Sequence, residues 1–348
     1  MNMRRIVQRH ELQAETSRFA AARWILPRVL RIVKVGSPLR QSVRHTLTEP
    51  LLHPALRRPL GKTGIRRTSF VAVLLACSAS WLAAHDFWLI PDAFAVTPGG
   101  RVALNGQTSS LFPTSLSAVT PDRIVEARVV TAKSVVRIKD ASVGGNALRL
   151  SFRPTGTGQH LIGVQLKPRN VRESPASFRR YLDLEGAPEA RQRYERTGLL
   201  GNADGDSITR RYAKYAKTIV EVGRGARAFH RPLDHPLEFV PLSDPSALRP
   251  GDTLRVRLLL VGKSAPLARL HSGSVAVTAS TLRDTAAARR AARDDVSLET
   301  DSMGVAAIVI TRPGLWNVRT LQIVPAIKGS GADWDVHWAT LVFSVSRR

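Results

Sequence analysis

The residues best suited to chemistry lie where an apolar run ends at Ala84 and His85-Asp86 follows. A chain cut after Ala84 would begin with His85, whose free amine and ring nitrogen can together chelate a divalent transition metal. That amine loses its proton at little cost near neutral pH, since its reference pKa is about 7.7–8.0. The junction therefore predicts a metal site at a new amino terminus. The alternative is an exposed His85 beside a strand whose Phe87 and Trp88 pack the core.

A second cluster is the hexapeptide DWDVHW at residues 333–338. In an extended strand, alternation places Asp333, Asp335 and His337 on one face and the apolar residues on the other. That polar face could offer one imidazole and two carboxylates to a metal, or it could be the solvent side of a strand whose tryptophans pack the core. His235 lies in what reads as an interdomain linker. The candidate metal ligands are therefore His85, Asp86, His235, Asp335 and His337.

Nothing in the sequence predicts catalysis. The single cysteine is Cys77, so the chain after residue 84 can form neither disulfides nor thiolate sites. Its serines lack the glycine elbow of a nucleophile. We expect a non-enzymatic protein. A copper-dependent oxidase, which would use an amino-terminal histidine with a second histidine, is the enzymatic alternative; we expect His160 and His271 to be structural or solvent-facing.

The segment before His85 has the order of a secretory signal peptide. Residues 69–84 are uncharged, and Lys62, Arg66 and Arg67 precede them. We therefore assign 68–84 as a signal peptide and expect a periplasmic or secreted protein after cleavage at Ala84. The alternative is an inner-membrane anchor through 69–84, although about 20 residues are needed to span a bilayer. Residues 1–67 form a basic leader, either disordered or the product of a mis-assigned start.

The charge of the chain restricts its partners. The formal net charge is +25, and removal of residues 1–84 leaves 37 basic against 24 acidic residues, or +13. Such a surface attracts anionic envelope polymers or membrane headgroups, in a way that salt weakens. Nucleic acid is not an expected partner, because the protein is exported and its aromatic residues do not alternate with a basic stripe.

The pattern of apolar residues and turns predicts a mainly β protein. From residue 85 to about 170, short strands alternate with turns such as Pro98-Gly99-Gly100, which is typical of a β-sandwich. The spacing in Ser174–Tyr194 and Ser207–Val222 predicts helices, and Ser174-Pro175 resembles a helix cap. From Leu237 the strand pattern returns. We predict two β-sandwich, immunoglobulin-like domains, at 85–170 and 236–346, with a helical segment at 171–225 between them.

Several stretches together resemble domain-of-unknown-function family 4198. They include HDFWLIPDAF from residue 85, SFRRYLDLEG from residue 177, RYAKYAKTIVEVG from residue 211 and DWDVHWATLVFSV from residue 333. Members are exported bacterial proteins that are often labelled substrate-specific components of nickel or cobalt uptake. The resemblance implies a nickel, cobalt or copper ion as ligand, a membrane transporter of metal ions as partner, and an immunoglobulin-like or transthyretin-like final domain. The alternative is an envelope module that binds protein or glycan without a metal.

Overall fold

The computed structural model describes residues 86–185, 187–196, 198, 207–276 and 292–346. All of them belong to one compact unit, Arg67–Arg348. The predictions for the basic leader, the signal peptide and His85 lie outside the described residues.

The described residues form eighteen strands and two α-helices. The strands are β1 (Asp86–Pro91), β2 (Ala95–Val96), β3 (Val102–Ser109), β4 (Ile124–Val130), β5 (Val135–Arg137), β6 (Asp140–Gly144), β7 (Ala147–Phe152), β8 (Gly158–Leu166), β9 (Arg169–Glu173), β10 (Ile208–Val222), β11 (Leu237–Pro241), β12 (Thr253–Leu260), β13 (Lys263–Ser264), β14 (Arg269–Val275), β15 (Ala292–Glu299), β16 (Val305–Val309), β17 (Gly314–Pro325) and β18 (Trp334–Val345). The helices are α1 (Pro175–Leu184) and α2 (Pro188–Arg196). Neither helix is long and apolar enough to span a bilayer, and the described part contains no other candidate.

Three sheets build the predicted mainly β architecture. The N-terminal sheet has the order β1-β3-β7-β6, and the C-terminal sheet has the order β11-β12-β13 with β16 also on β12. Between them runs a ten-stranded central sheet with the order β15-β14-β17-β18-β10-β8-β4-β5, in which β2 and β9 also pair with β10. The two sandwiches therefore share one continuous sheet.

The two outer sheets pack on opposite faces of the central sheet. On β10, Tyr215 belongs to the core under the C-terminal sheet, together with Phe239 and Leu341. Its neighbour Ala216 belongs to the core under the N-terminal sheet, together with Phe87. Because successive residues of a strand point to opposite faces, β10 contributes to both cores at once.

The helix predicted over Ser207–Val222 is wrong, because this segment is strand β10. It pairs in parallel with β18 from Arg210 to Thr218, and antiparallel with β8 from Ile219 to Val222. Alanine, lysine and arginine are good helix formers, and the apolar residues happen to fit a helical period. Pairing with strands on both sides outweighs that local preference.

The helix predicted over Ser174–Tyr194 is confirmed in type but divided in two. The Ser174 hydroxyl accepts a hydrogen bond from the backbone N–H of Ser177 (3.1 Å), which caps α1 as the sequence predicts. A second helix begins at Pro188, since proline suits the first turn of a helix but not its interior. Both helices pack on the β10, β17 and β18 region of the central sheet, through a cluster that includes Phe178, Tyr194 and Trp334.

Candidate amino-terminal site

Strand β1 lies over the central sheet, and several contacts hold it there. Trp88 and Ile90 pack against Leu315 and Val342 of the sheet. The hydroxyl of Thr340 donates to the carbonyl oxygen of Phe87 (2.7 Å). Alternation along β1 places Asp86 on the same side as Trp88, facing the central sheet.

Asp86 is buried against that sheet among other charged groups. Its carboxylate Oδ2 is 3.6 Å from Nε of Arg319, and only 6% of the residue is exposed. Burial raises the pKa of Glu185, just past the end of α1, to about 7, and the negative charge of Asp86 acts in the same direction. Burial also lowers the pKa of Lys214 to about 8, against the attraction of Asp86. Because Glu185 and Lys214 both titrate close to neutral pH, the net charge of the cluster around Asp86 changes in this range.

A small pocket of about 80 Å³ opens beside these charges, between strands β14 and β17, helix α2 and the connection from α1 to α2. We call it the amino-terminal pocket; its polar and aromatic lining consists of Glu185, Arg193, Arg269, His271, Glu299, Arg319, Thr320, Gln322 and Trp338. A pocket of this volume has room for a few water molecules or for one short side chain. Arg319, the ion-pair partner of Asp86, is one of the lining residues.

Asp335 and His337 lie on the opposite face of the central sheet. Arg319 is paired with Thr340 on β18, so residues of even number on β18 share the face of Arg319, and Asp335 and His337 point the other way. The predicted alternation is confirmed, because Trp334, Val336 and Trp338 are buried with the helices. Asp86 therefore cannot share a metal ion with Asp335 or His337, and the five candidate ligands do not form one site.

Both of those residues have protein partners in the structure. Arg211 donates two hydrogen bonds to Asp335, at 2.7 and 2.9 Å. The Tyr215 hydroxyl is 3.0 Å from Nδ1 of His337. Burial raises the pKa of Tyr215 and lowers the pKa of His337, so the hydroxyl keeps its proton and donates to the neutral ring. Coordination by either residue would have to displace these bonds.

His235 is buried behind Tyr215, with only 2% of the residue exposed and its ring centroid 5.7 Å from that of Tyr215. Burial, together with the positive charges of Lys217 and Arg128, lowers the pKa of His235 to about 3. The ring is therefore neutral in the folded protein throughout the physiological range. His235 does not line the amino-terminal pocket, and its burial shields it from solvent.

Acid is expected to destabilise the protein through His235. Below pH 6.5 the unfolded chain binds a proton on His235 that the native protein does not bind, so the contribution is complete above pH 6.5 and is lost as the pH falls towards 3. The slope is about 1.4 kcal/mol per pH unit for one such group. In urea unfolding between pH 7 and pH 4, His235→Leu should flatten this dependence. The matched change at exposed His230, His230→Leu, should not; equal slopes for the two variants would contradict the prediction.

The family of the chain follows from its sequence. The model of the family described as "Domain of unknown function (DUF4198)" matches residues 82–323, which are 242 of the 348 residues. The chain belongs to this family. The match begins just before His85 and includes β1, both helices and the residues that line the pocket, except Trp338. No curated protein sequence matches this DUF4198 chain.

Solved structures similar to this DUF4198 protein include bacterial adhesins and macroglobulins. The D0–D1 domain of intimin is 9% identical, with 75% of this chain and 98% of that chain covered and a TM-score of 0.18. The adhesin InvE of Yersinia pseudotuberculosis is 14% identical (75% and 59% covered, TM-score 0.19). The α2-macroglobulin of Escherichia coli is 13% identical (76% and 16% covered, TM-score 0.19), so the chain spans less than a fifth of that protein. At these scores we draw no functional argument from the likeness.

Sequence reasoning missed Glu185 and His271 in the DUF4198 chain. His271, which we expected to be structural or solvent-facing, is half-buried, is paired with Arg319 on β17 and lines the amino-terminal pocket. Glu185 lies 99 positions after Asp86, and its neighbours in the sequence carry no sign of a site. Knowledge of the β14–β17 register would have been needed to find His271.

Within the described ranges, no three His, Cys, Asp or Glu side chains are grouped so that they could hold a metal ion. Metal binding by His85 itself remains a prediction, because His85 lies outside those ranges. A chelate at the amino terminus takes two nitrogen ligands from one residue. It therefore needs fewer ligands from other residues than a site built from three side chains.

Proposed function

We propose that this DUF4198 protein is an exported, non-enzymatic envelope protein that binds a transition metal, nickel, cobalt or copper, through the amino terminus created by cleavage after Ala84. Its role would be metal uptake or homeostasis, with a membrane transporter of metal ions as its partner. In this proposal the ligands are the amine and the ring of His85. Asp86 is a neighbouring charge, because its carboxylate faces Arg319.

The observation that carries the proposal is the position of Asp86. Its burial, and the hydrogen bond from Thr340 to Phe87, hold the start of β1 against the central sheet beside the amino-terminal pocket. A mature chain that begins at His85 would thus start next to Asp86, whose partner Arg319 lines the pocket. A rigid support of this kind favours binding, because a preorganised site loses less conformational entropy when it takes its ligand.

The donor set suits the proposed metals. A neutral imidazole and an amine are nitrogen donors that nickel(II) and copper(II) accept in tetragonal geometry. Protons compete for both nitrogens, so affinity should fall at acid pH. The nearby carboxylates of Asp86 and Glu185 partly offset the positive charges of Lys214 and Arg319.

The test is a copper(II) and nickel(II) titration of protein whose amino terminus is His85, verified by mass spectrometry. A matched form begins at Ser80, which keeps the same residues but places His85 sixth in the chain. Because the amine then lies far from the ring, affinity should fall on the order of 100-fold, or about 2.7 kcal/mol. The variant His85→Ala, which keeps the free amine, should lose a similar amount.

Equal affinity in the His85 and Ser80 forms would overturn the proposed chelate. Sequencing of the native amino terminus tests the export step separately. A mature chain that begins at any residue other than His85 would remove the basis of the proposal.

One observation favours the second candidate, an envelope module that binds another protein. Strand β5 lies at the edge of the central sheet and exposes 55% of Val135 and 43% of Val136. Exposed apolar edges are sites where another strand can add to a sheet. If no form of the protein binds metal, this edge becomes the better candidate for function.

A further inference from the structure

We propose that the amino-terminal pocket binds a small aliphatic carboxylate through the guanidinium groups of Arg193, Arg269 and Arg319. The inference does not depend on the metal chelate proposed above, and every residue it uses lies in the described part of the chain. The ligand class is an anion whose carboxylate meets the arginines and whose short alkyl part meets the apolar side of the pocket.

The three arginines come from three elements that meet at the pocket. His271 on β14 is directly paired with Arg319 on β17, so their side chains project from the same face of the central sheet. Arg269, two residues before His271, shares that face because side chains alternate along a strand. Arg193 belongs to α2, and all three arginines line the pocket. Guanidinium groups therefore reach it from the sheet on one side and from a helix on the other.

The lining also contains two carboxylates, Glu185 and Glu299. Glu299 on β15 is directly paired with Arg269. Burial raises the pKa of Glu185 to about 7, so this group is partly protonated at neutral pH and carries less than a full negative charge. The three arginines thus leave the lining with an excess of positive charge, which favours an anion over a cation.

The arginines already have partners within the protein. Arg319 lies 3.6 Å from Asp86, which is outside the lining, and the positive charge of Lys214 offsets part of that negative charge. A guanidinium group carries more N–H donors than one carboxylate can accept, and its planar fork suits a carboxylate in bidentate geometry. The present partners therefore orient the guanidinium groups, and a bound carboxylate adds hydrogen bonds to them.

The rest of the lining selects the kind of anion. The volume of about 80 Å³ admits only a small molecule. Phosphate and sulfate have oxygens on every side, and a charged oxygen against apolar groups loses its hydration without compensation. A carboxylate with a short alkyl chain separates its charge from its apolar part and so matches both sides of the pocket. The apolar and aromatic side consists of Ala187, Ala190, Leu267, Ala268, Leu321, Ile323 and Trp338.

The experiment is a ligand-observed NMR titration of the full chain with propionate. Propionamide has the same shape without the charge and serves as the matched ligand. We expect propionate to bind with a Kd on the order of 1 mM, propionamide not to bind measurably, and inorganic phosphate to bind more weakly than propionate. Absence of propionate binding, equal binding of propionamide, or tighter binding of phosphate would overturn the inference.

Two substitutions with opposite expected effects locate the site. Arg269→Gln removes charge-assisted hydrogen bonds and should weaken propionate binding on the order of tenfold. Glu185→Gln removes a negative charge from the lining and should strengthen binding about twofold or more. The matched control Arg180→Gln changes an exposed arginine of α1 that does not line the pocket, and it should leave the affinity unchanged.

Arg193→Gln is a second variant, in case Arg269→Gln disturbs the pairing of β14 with β15. Arg193 is exposed on α2, so its replacement should not affect folding. Thermal unfolding without ligand verifies that each variant is folded. If both folded variants bind propionate as tightly as the Arg180→Gln control does, the carboxylate site is wrong, whether or not the amino terminus binds a metal.

Discussion

Lys217→Met is expected to cost about 3–5 kcal/mol in the free energy of unfolding, because it leaves a buried carboxylate without its cation. The Lys217 ammonium donates to Oε2 of Glu238 and to the carbonyl oxygen of Phe239, both at 2.6 Å. The two charged side chains are only 2% and 3% exposed. Glu238 also accepts a hydrogen bond from the backbone N–H of Leu233 (2.9 Å). The pair therefore joins β10, which both sandwiches share, to the first strand of the C-terminal sheet.

The measurement is urea unfolding of the folded chain, with Arg101→Met as the matched control. Arg101 also pairs with an acid, Asp140, but both side chains are more than half exposed. Exposed pairs contribute about 0–1 kcal/mol, so this control should be nearly neutral. The double variant Lys217→Met, Glu238→Gln should recover part of the loss, because it removes the buried negative charge. If Lys217→Met cost no more than Arg101→Met, the pair would not contribute as we infer.

Gly158→Ala is expected to be the second most damaging change. It should lower the free energy of unfolding by about 2–5 kcal/mol, because a forbidden backbone conformation and a steric clash act together. Gly158 begins β8 with φ of +103°, a value that side chains with a Cβ rarely adopt. An added Cβ would lie 2.5 Å from the carbonyl oxygen and 2.7 Å from the amide nitrogen of Ala226. Both are backbone atoms, so the segment after β10 would have to move.

Gly145→Ala is the matched control for the clash. Gly145, in the turn between β6 and β7, also has a positive φ of +59°, but no atom lies within 4 Å of its added Cβ. Its substitution should cost about 1–2 kcal/mol from the backbone conformation alone. Chemical denaturation of both variants separates the two contributions. Equal losses would show that the contact with Ala226 adds nothing.

Lys217 lies on the shared strand β10, and Gly158 pairs with it. The buried pair and Gly158 hold the shared strand β10 and its neighbours in register, and that register positions Lys214 and Arg319 around the start of β1. Damage at either position should therefore also disturb the amino-terminal pocket, although neither residue lines it.

The sequence was sufficient wherever a local pattern decides the structure. Alternation over residues 333–338 correctly placed Trp334 and Trp338 on a buried face, because side chains of a strand must alternate. Ser174 and Pro175 correctly marked the start of a helix, because a hydroxyl cap and a fixed φ act within one turn. The mainly β class and the two sandwiches also followed from short apolar runs between turns.

The tertiary structure alone decided which strands meet. The spacing of apolar residues in 208–222 fits a helix, yet they form the strand that fuses the two sandwiches, because β18 lies beside it from more than 120 positions later in the chain. The same pairing separates Asp86 from Asp335 and His337 by the thickness of a sheet. The pairing of β14 with β17 brings His271 to the pocket that Glu185 also lines. Local sequence sets the period of each element. Pairing between distant strands sets which face each side chain occupies and which side chains are its neighbours. The face and the neighbours together determine which residues can share a site.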